Sequence, residues 1–171
     1  YFYAPKEDDK HRLNWKENYD VIWQREFSKF CQTAVENKIK IIFGISPGLN
    51  FNFVDFIEKS LNNKMSKDLR VLLNKVSKIS KISGVNIGLL FDDLPNNFTE
   101  YSGNKYSEGH VHAKLVNKLS YFLNKQIYTV PRIYAEELIE DGRNYLTDFG
   151  RVINKKQIVF YSGENIVSKK F

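Results

Sequence analysis

NIGLLFDDL, residues 86–94, is an apolar run that stops on two adjacent carboxylates, Asp92 and Asp93. Extended back by one residue it reads VNIGLLFD (85–92), and four similar short runs lie along the chain: YFYAP (1–5), IKIIFGIS (39–46), QIYTVP (126–131) and QIVFYSG (157–163). Successive runs start about 30 to 45 residues apart, the spacing of parallel strands that each need a crossover helix. The segments between them fit that role. From Tyr19 to Lys38 the apolar residues Val21, Ile22, Phe27, Phe30, Cys31, Ala34 and Val35 fall on one helical stripe, with Glu26, Lys29 and Glu36 outside it. A second crossover is expected over 54–83, around LRVLLNKVSKI, a third over 105–123, and a short fourth from Tyr145 to Ile153.

Such an alternation builds either an open doubly wound sheet or a barrel. No Gly-rich dinucleotide or P-loop fingerprint opens any helix, which disfavours a nucleotide-binding sheet. A barrel carries its functional side chains just beyond the carboxyl ends of its strands. Lys6, Ser46-Pro47-Gly48, Asp92-Asp93, Tyr134 and Ser162-Gly163 stand at those places. The expected class is therefore α/β. Without motif repeats, low-complexity tracts or a Pro/Gly-rich linker, residues 1–171 read as one domain.

The composition agrees: 171 residues with 42% hydrophobic and 15% aromatic content suffice for one core. A net charge of +6 would suit a polyanion, but the lysines are spread among acidic residues in no long basic block, so no nucleic-acid partner is expected. The single cysteine, Cys31, excludes an internal disulfide and reads as a small buried hydrophobe. No apolar stretch approaches the ~20 residues of a membrane span, and no signal peptide is present. Because the sequence begins at Tyr1, it reads as a piece of something longer, and it carries no mark of its compartment.

In an extended strand Leu90 and Asp92 share one face while Phe91 and Asp93 share the other. Both carboxylates reach one cavity only if the pleat breaks at the strand's mouth. A close pair of carboxyls resists double ionisation, offering one acid and one anion in the same pocket. Glycoside hydrolysis needs that combination. A bare Asp-Asp pair equally suits a polar loop or a helix cap.

The neighbouring motifs separate these readings. YAPKEDDKHRLNWKENY (3–19), FGISPGLN (43–50) and LLFDDL (89–94), in this order, resemble the catalytic barrel of glycoside hydrolase family 84, the β-N-acetylglucosaminidases that include O-GlcNAcases and bacterial hyaluronidase-like enzymes. HVHAKLVN (110–117), VPRIYAE (130–136) and FYSGENIVSK (160–169) continue the resemblance over nearly the whole chain. It implies a (β/α)8 TIM barrel, here a partial barrel of about five parallel strands equivalent to the second to sixth.

It further implies a retaining exo-acting hydrolase without cofactor, whose substrate, an N-acetylglucosamine-containing glycan or glycoprotein, supplies its own acetamido oxygen as nucleophile and passes through an oxazoline. On the family pattern Asp92 accepts the acetamido N–H, and Asp93 protonates the glycosidic oxygen and then activates water. Lys6 reaches sugar hydroxyls, and Tyr134 the acetamido group. His11 and Arg12 are expected to fix the loop after the first strand, with Trp15 beneath it, and Ser46-Pro47-Gly48 to shape backbone. His110 and His112 read as structural, since their spacing with Asp92 and Asp93 offers no metal set.

The pattern also departs. Glu7 stands for an aspartate, Ser162 and Glu164 replace a threonine and a proline, and the family's sugar-contacting stretches before the second strand and after the sixth have no counterpart. Two readings follow: a piece of a normal enzyme, or a degenerate barrel serving as a non-catalytic carbohydrate-binding or interaction module. Either way the outer strands are expected to be open edges through which the chain self-associates.

Overall fold

A computed structural model describes residues 1–98, 106–141 and 143–167. Five parallel strands form one sheet in chain order: β1 (Phe2–Tyr3), β2 (Ile41–Ile45), β3 (Val85–Leu90), β4 (Ile127–Val130) and β5 (Ile158–Val159). The crossovers carry α1 (Val21–Glu36), α2 (Phe53–Leu61) with α3 (Lys67–Ile79), α4 (Glu108–Leu123) and α5 (Arg143–Val152). The second crossover is thus two helices, parted where Asn63 takes a left-handed φ of 52° and Ser66 caps α3. Asp20, Asn52 and Ser107 cap α1, α2 and α4 in the same way, each side chain accepting from a backbone N–H three residues on.

A doubly wound sheet reverses its strand order at a switch point; this one does not, and each strand lies beside its predecessor. The wall is also curled. Four strand spacings of about 4.8 Å would separate β1 from β5 by about 19 Å in a flat sheet, yet the rings of Phe2 and Phe160 meet at 5.3 Å across the concave face. Glycines admit Phe2 there: a Cβ on Gly44 would lie 3.1 Å from its ring, and one on Gly88 2.8 Å. The architecture is a partial (β/α)8 barrel.

The convex face buries Ile41, Phe43, Ile45, Val85, Ile87, Leu89 and Ile127 against the helices. On α1 the buried stripe is narrower than the periodicity suggests. Phe27, Cys31 and Ala34 are buried, with Trp23 stacked on Tyr19 and Phe27, whereas Val21 is 81% and Ile22 67% exposed and Phe30 and Val35 are also exposed. α1 rests its Trp23–Phe27 face on Tyr3 of β1 and Phe43 of β2, and with β1 only two residues long the sheet does not reach under the flanking apolar side chains. Cys31 is buried, and burial pushes its thiol up to about 11. No helix among the described residues is long and apolar enough to cross a membrane.

Candidate active site

β3 is the central strand, and its ladder reaches one residue past Leu90, where Phe91 N–H donates to Val130 O at 2.9 Å. Phe91 is buried, its ring stacked on His112 at 4.0 Å. The chain then turns, with Leu94 N–H donating back to Phe91 O at 3.3 Å. Asp92 and Asp93 occupy the two central positions of that turn, so strand alternation no longer separates them. The Lys6 ammonium lies 3.1 Å from Asp92 Oδ2 and 2.5 Å from Asp93 Oδ2. One cation therefore touches both carboxylates and offsets the repulsion that an isolated pair would feel. Asp92 is the more enclosed, its side chain 16% exposed against 33% for Asp93.

Lys6 comes from residues 4–20, the connection between β1 and α1, which lies over the ends of β2 and β3. His11 Nδ1 donates to Gly44 O at 3.0 Å, since a carbonyl can only accept, and Ser46 N–H donates to His11 O at 3.0 Å. Burial lowers the His11 pKa against the opposing pull of that bond. Trp15 is fully buried, stacked on Phe51, and donates to Asn50 Oδ1. Arg12 does more than fix this loop: its guanidinium donates to Asp93 O at 2.9 Å and stands 3.8 Å from Asp93 Oδ2. Beside the turn, a Cβ on Gly48 would come within 2.3 Å of Leu94, so the glycine admits the residue that follows the carboxylates.

Tyr134 stands at the mouth of β4, its backbone carbonyl accepting from Ser162 N–H at 2.8 Å. Burial raises the pKa of its phenol, and the charges of Asp92 and Asp93 raise it further against the pull of Lys6, so the hydroxyl keeps its proton. On Lys6 burial acts downward, but hydrogen bonds and charge from Asp93 and Asp92 outweigh it and the ammonium is held above its ordinary value. Lys6, Asp92, Asp93 and Tyr134 thus share one electrostatic neighbourhood at the carboxyl end of the sheet.

Residues 1–171 match the family described as NAGidase, beta-N-acetylglucosaminidase. The chain belongs to glycoside hydrolase family 84. It is 29% identical to Protein O-GlcNAcase of Rattus norvegicus and to that of Mus musculus, over 99% of this chain and 18% of each relative. Among solved structures it resembles a mutant of the Thermobaculum terrenum O-GlcNAc hydrolase, with a TM-score of 0.84 at 26% identity over 99% of this chain and 35% of that one. CpGH84B gives 0.78 at 25% identity, over 98% and 28%. The family 84 chain therefore spans under a fifth of the length of those curated relatives.

Within this family 84 chain a second layer holds the turn from behind. Tyr145 OH accepts from Arg132 N–H at 3.0 Å and shares a hydrogen bond with His112 Nδ1, also 3.0 Å away. His112 is wholly buried, its pKa pushed well below the ordinary value by burial and then by Arg132, and the neutral ring backs Phe91. Arg132 pairs with Glu108 at 2.8 Å. His110 stacks on Tyr106, and Asn117 joins α4 to the turn before β5 through Val152 O and Asn154 N–H. Among the described residues no three His, Cys, Asp or Glu side chains are grouped to hold a metal ion.

At the two departures after β5, Ser162 and Glu164, the contacts use a side-chain hydroxyl and a backbone carbonyl, groups that the threonine and proline of the family pattern also carry. The Ser162 hydroxyl is placed to donate to Tyr134 O at 3.1 Å or Asn165 O at 3.0 Å, and Glu137 N–H donates to Glu164 O at 3.1 Å. The loop after β5 is thereby tied to the loop that carries Tyr134. Arg12 is the site residue that motif reading undervalued; the signal was its place five residues beyond Glu7 in YAPKEDDKHR.

Proposed function

We propose that the protein is a retaining exo-β-N-acetylglucosaminidase acting by substrate-assisted catalysis on terminal or protein-O-linked N-acetylglucosamine, with residues 1–171 as the catalytic part of its barrel. The observation that carries this is the convergence of Asp92 and Asp93 on the Lys6 ammonium. Asp92, the more enclosed carboxylate, accepts the acetamido N–H and orients the amide. The acetamido oxygen forms a bond to the anomeric carbon as the glycosidic C–O bond breaks, and Asp93, which takes up a proton once Lys6 leaves it for the sugar, gives that proton to the departing oxygen. Water then attacks the anomeric carbon, Asp93 takes a proton from it, and the oxazoline opens back to the acetamide. Lys6 hydrogen-bonds a sugar hydroxyl, and Tyr134 hydrogen-bonds the acetamido group.

Fluorinating the acetamido methyl tests the nucleophile, because each fluorine withdraws electrons from the attacking oxygen. In the full-length protein, turnover of an aryl N-acetyl-β-glucosaminide should fall steeply from acetamido to trifluoroacetamido. A rate independent of fluorination contradicts substrate assistance. Saturable sugar binding without turnover identifies a non-catalytic carbohydrate-binding module instead.

A further inference from the structure

Lys75 lies on the buried stripe of α3, between Leu72, Val76 and Ile79, and is only 2% exposed. An apolar side chain would satisfy that slot, and burying an ammonium there is costly unless its protons find acceptors. They do. Nζ donates to Lys10 O at 2.5 Å and to Trp15 O at 3.0 Å, and lies 4.5 Å from the centroid of the Tyr19 ring. All three acceptors belong to the β1–α1 connection. The two carbonyls bracket Arg12, whose guanidinium reaches the other way to Asp93.

The charged groups around Lys75 come from the same connection. Burial is the largest influence and lowers its pKa to about 8, Asp8 and Glu17 pull upward, and Lys10 pulls downward. The side chain still carries its charge through neutral pH.

We propose that Lys75 is a positioning residue: by holding the carbonyls of Lys10 and Trp15 it fixes Arg12 against Asp93 and so aims the carboxyl that protonates the leaving group. The last step rests on the function proposed above; the clamp on the loop does not.

The test uses the full-length protein with Lys75→Met, Lys75→Arg, Arg12→Ala and the double variant Lys75→Met/Arg12→Ala. Ångström-scale misplacement of a reacting group costs up to about 100-fold. Lys75→Met is therefore expected to lose about 10- to 100-fold in kcat/KM on a glycoside with a poor leaving group, and far less on an activated aryl glycoside. Adding Arg12→Ala should deepen the loss little, because both changes disable one arrangement. Lys75→Arg keeps charge and donors but seats them differently, so the same skew should appear in weaker form, and that variant carries the test if Lys75→Met does not fold. Equal losses for both leaving groups, or losses of Lys75→Met and Arg12→Ala that multiply, overturn the proposal.

Hydrogen exchange tests the clamp without reference to turnover. Amides of residues 10–16 should exchange faster in whichever Lys75 variants fold, with β2 and β3 unchanged. Unchanged exchange at 10–16 overturns the clamp even in a protein that hydrolyses nothing.

Discussion

Asp92 and Asp93 sit side by side in sequence but differ in surroundings: Asp92 is the more enclosed, while Asp93 is more open and has Arg12 on its backbone carbonyl. The neighbour that supports them from behind, His112, makes a prediction at the scale of one residue. Its folded pKa lies well below the ordinary value near 6.5. On acidification the unfolded chain therefore takes up a proton that the folded chain refuses, and stability present above about pH 6.5 is lost as pH falls below it. His11, also lowered by burial, acts in the same direction. The urea midpoint should drop between about pH 7.5 and pH 5.5, and drop less in His112→Phe. Equal drops in the two proteins contradict the assignment. The importance of Lys75 was hidden in the sequence, because it partners two backbone carbonyls, 65 and 60 residues away. Carbonyls have no side-chain signature. Lys6 was legible because it stands in a motif.

The strands were the elements most readable in advance, since each is a short apolar run set between helical segments. The strict alternation of a strand puts Asp92 and Asp93 on opposite faces; the turn from Phe91 to Leu94 removes that constraint. That turn could not be read from LLFDDL alone, because Leu94 settles against Gly48 from the loop after β2. α1 was overread for the opposite reason: periodicity counts apolar residues, while burial depends on what lies beneath them. Two glycine substitutions test the elements. Gly48→Ala must displace the buried Leu94, so it should cost about 1–3 kcal/mol and lower turnover. Gly150→Ala, on α5 with nothing within 4 Å of the new Cβ, should stabilise by about 0.5–1 kcal/mol. Thermal and denaturant melts read both; a neutral Gly48→Ala would show that Leu94 gives way freely.

At the scale of the whole molecule, the sheet curls like a barrel wall but its outer strands lack partners among the described residues. Beside β1 an apolar groove is lined by Tyr1, Phe30, Ala34, Ile39 and Ile41. At the other edge Ile158, Val159, Phe160 and Tyr161 are exposed. Unpaired edges flanked by apolar side chains recruit further strands. The 171-residue chain expressed by itself is expected to self-associate with rising concentration and to show negligible N-acetylglucosaminidase activity, since a wall of five strands offers only part of the strand ends from which an eight-stranded barrel builds its site. Sedimentation as a concentration-independent monomer with robust turnover contradicts this.

The division of labour between the two carboxylates is tested most directly by varying the leaving group in the full-length protein. Proton donation matters for a poor leaving group and hardly at all for an activated aryl oxide. Asp93→Asn should therefore lose most of its kcat/KM on poor leaving groups while retaining much of it on activated ones, and Asp92→Asn should lose activity on both. A loss in Asp93→Asn that is the same for every leaving group would contradict the assignment of Asp93 as the acid.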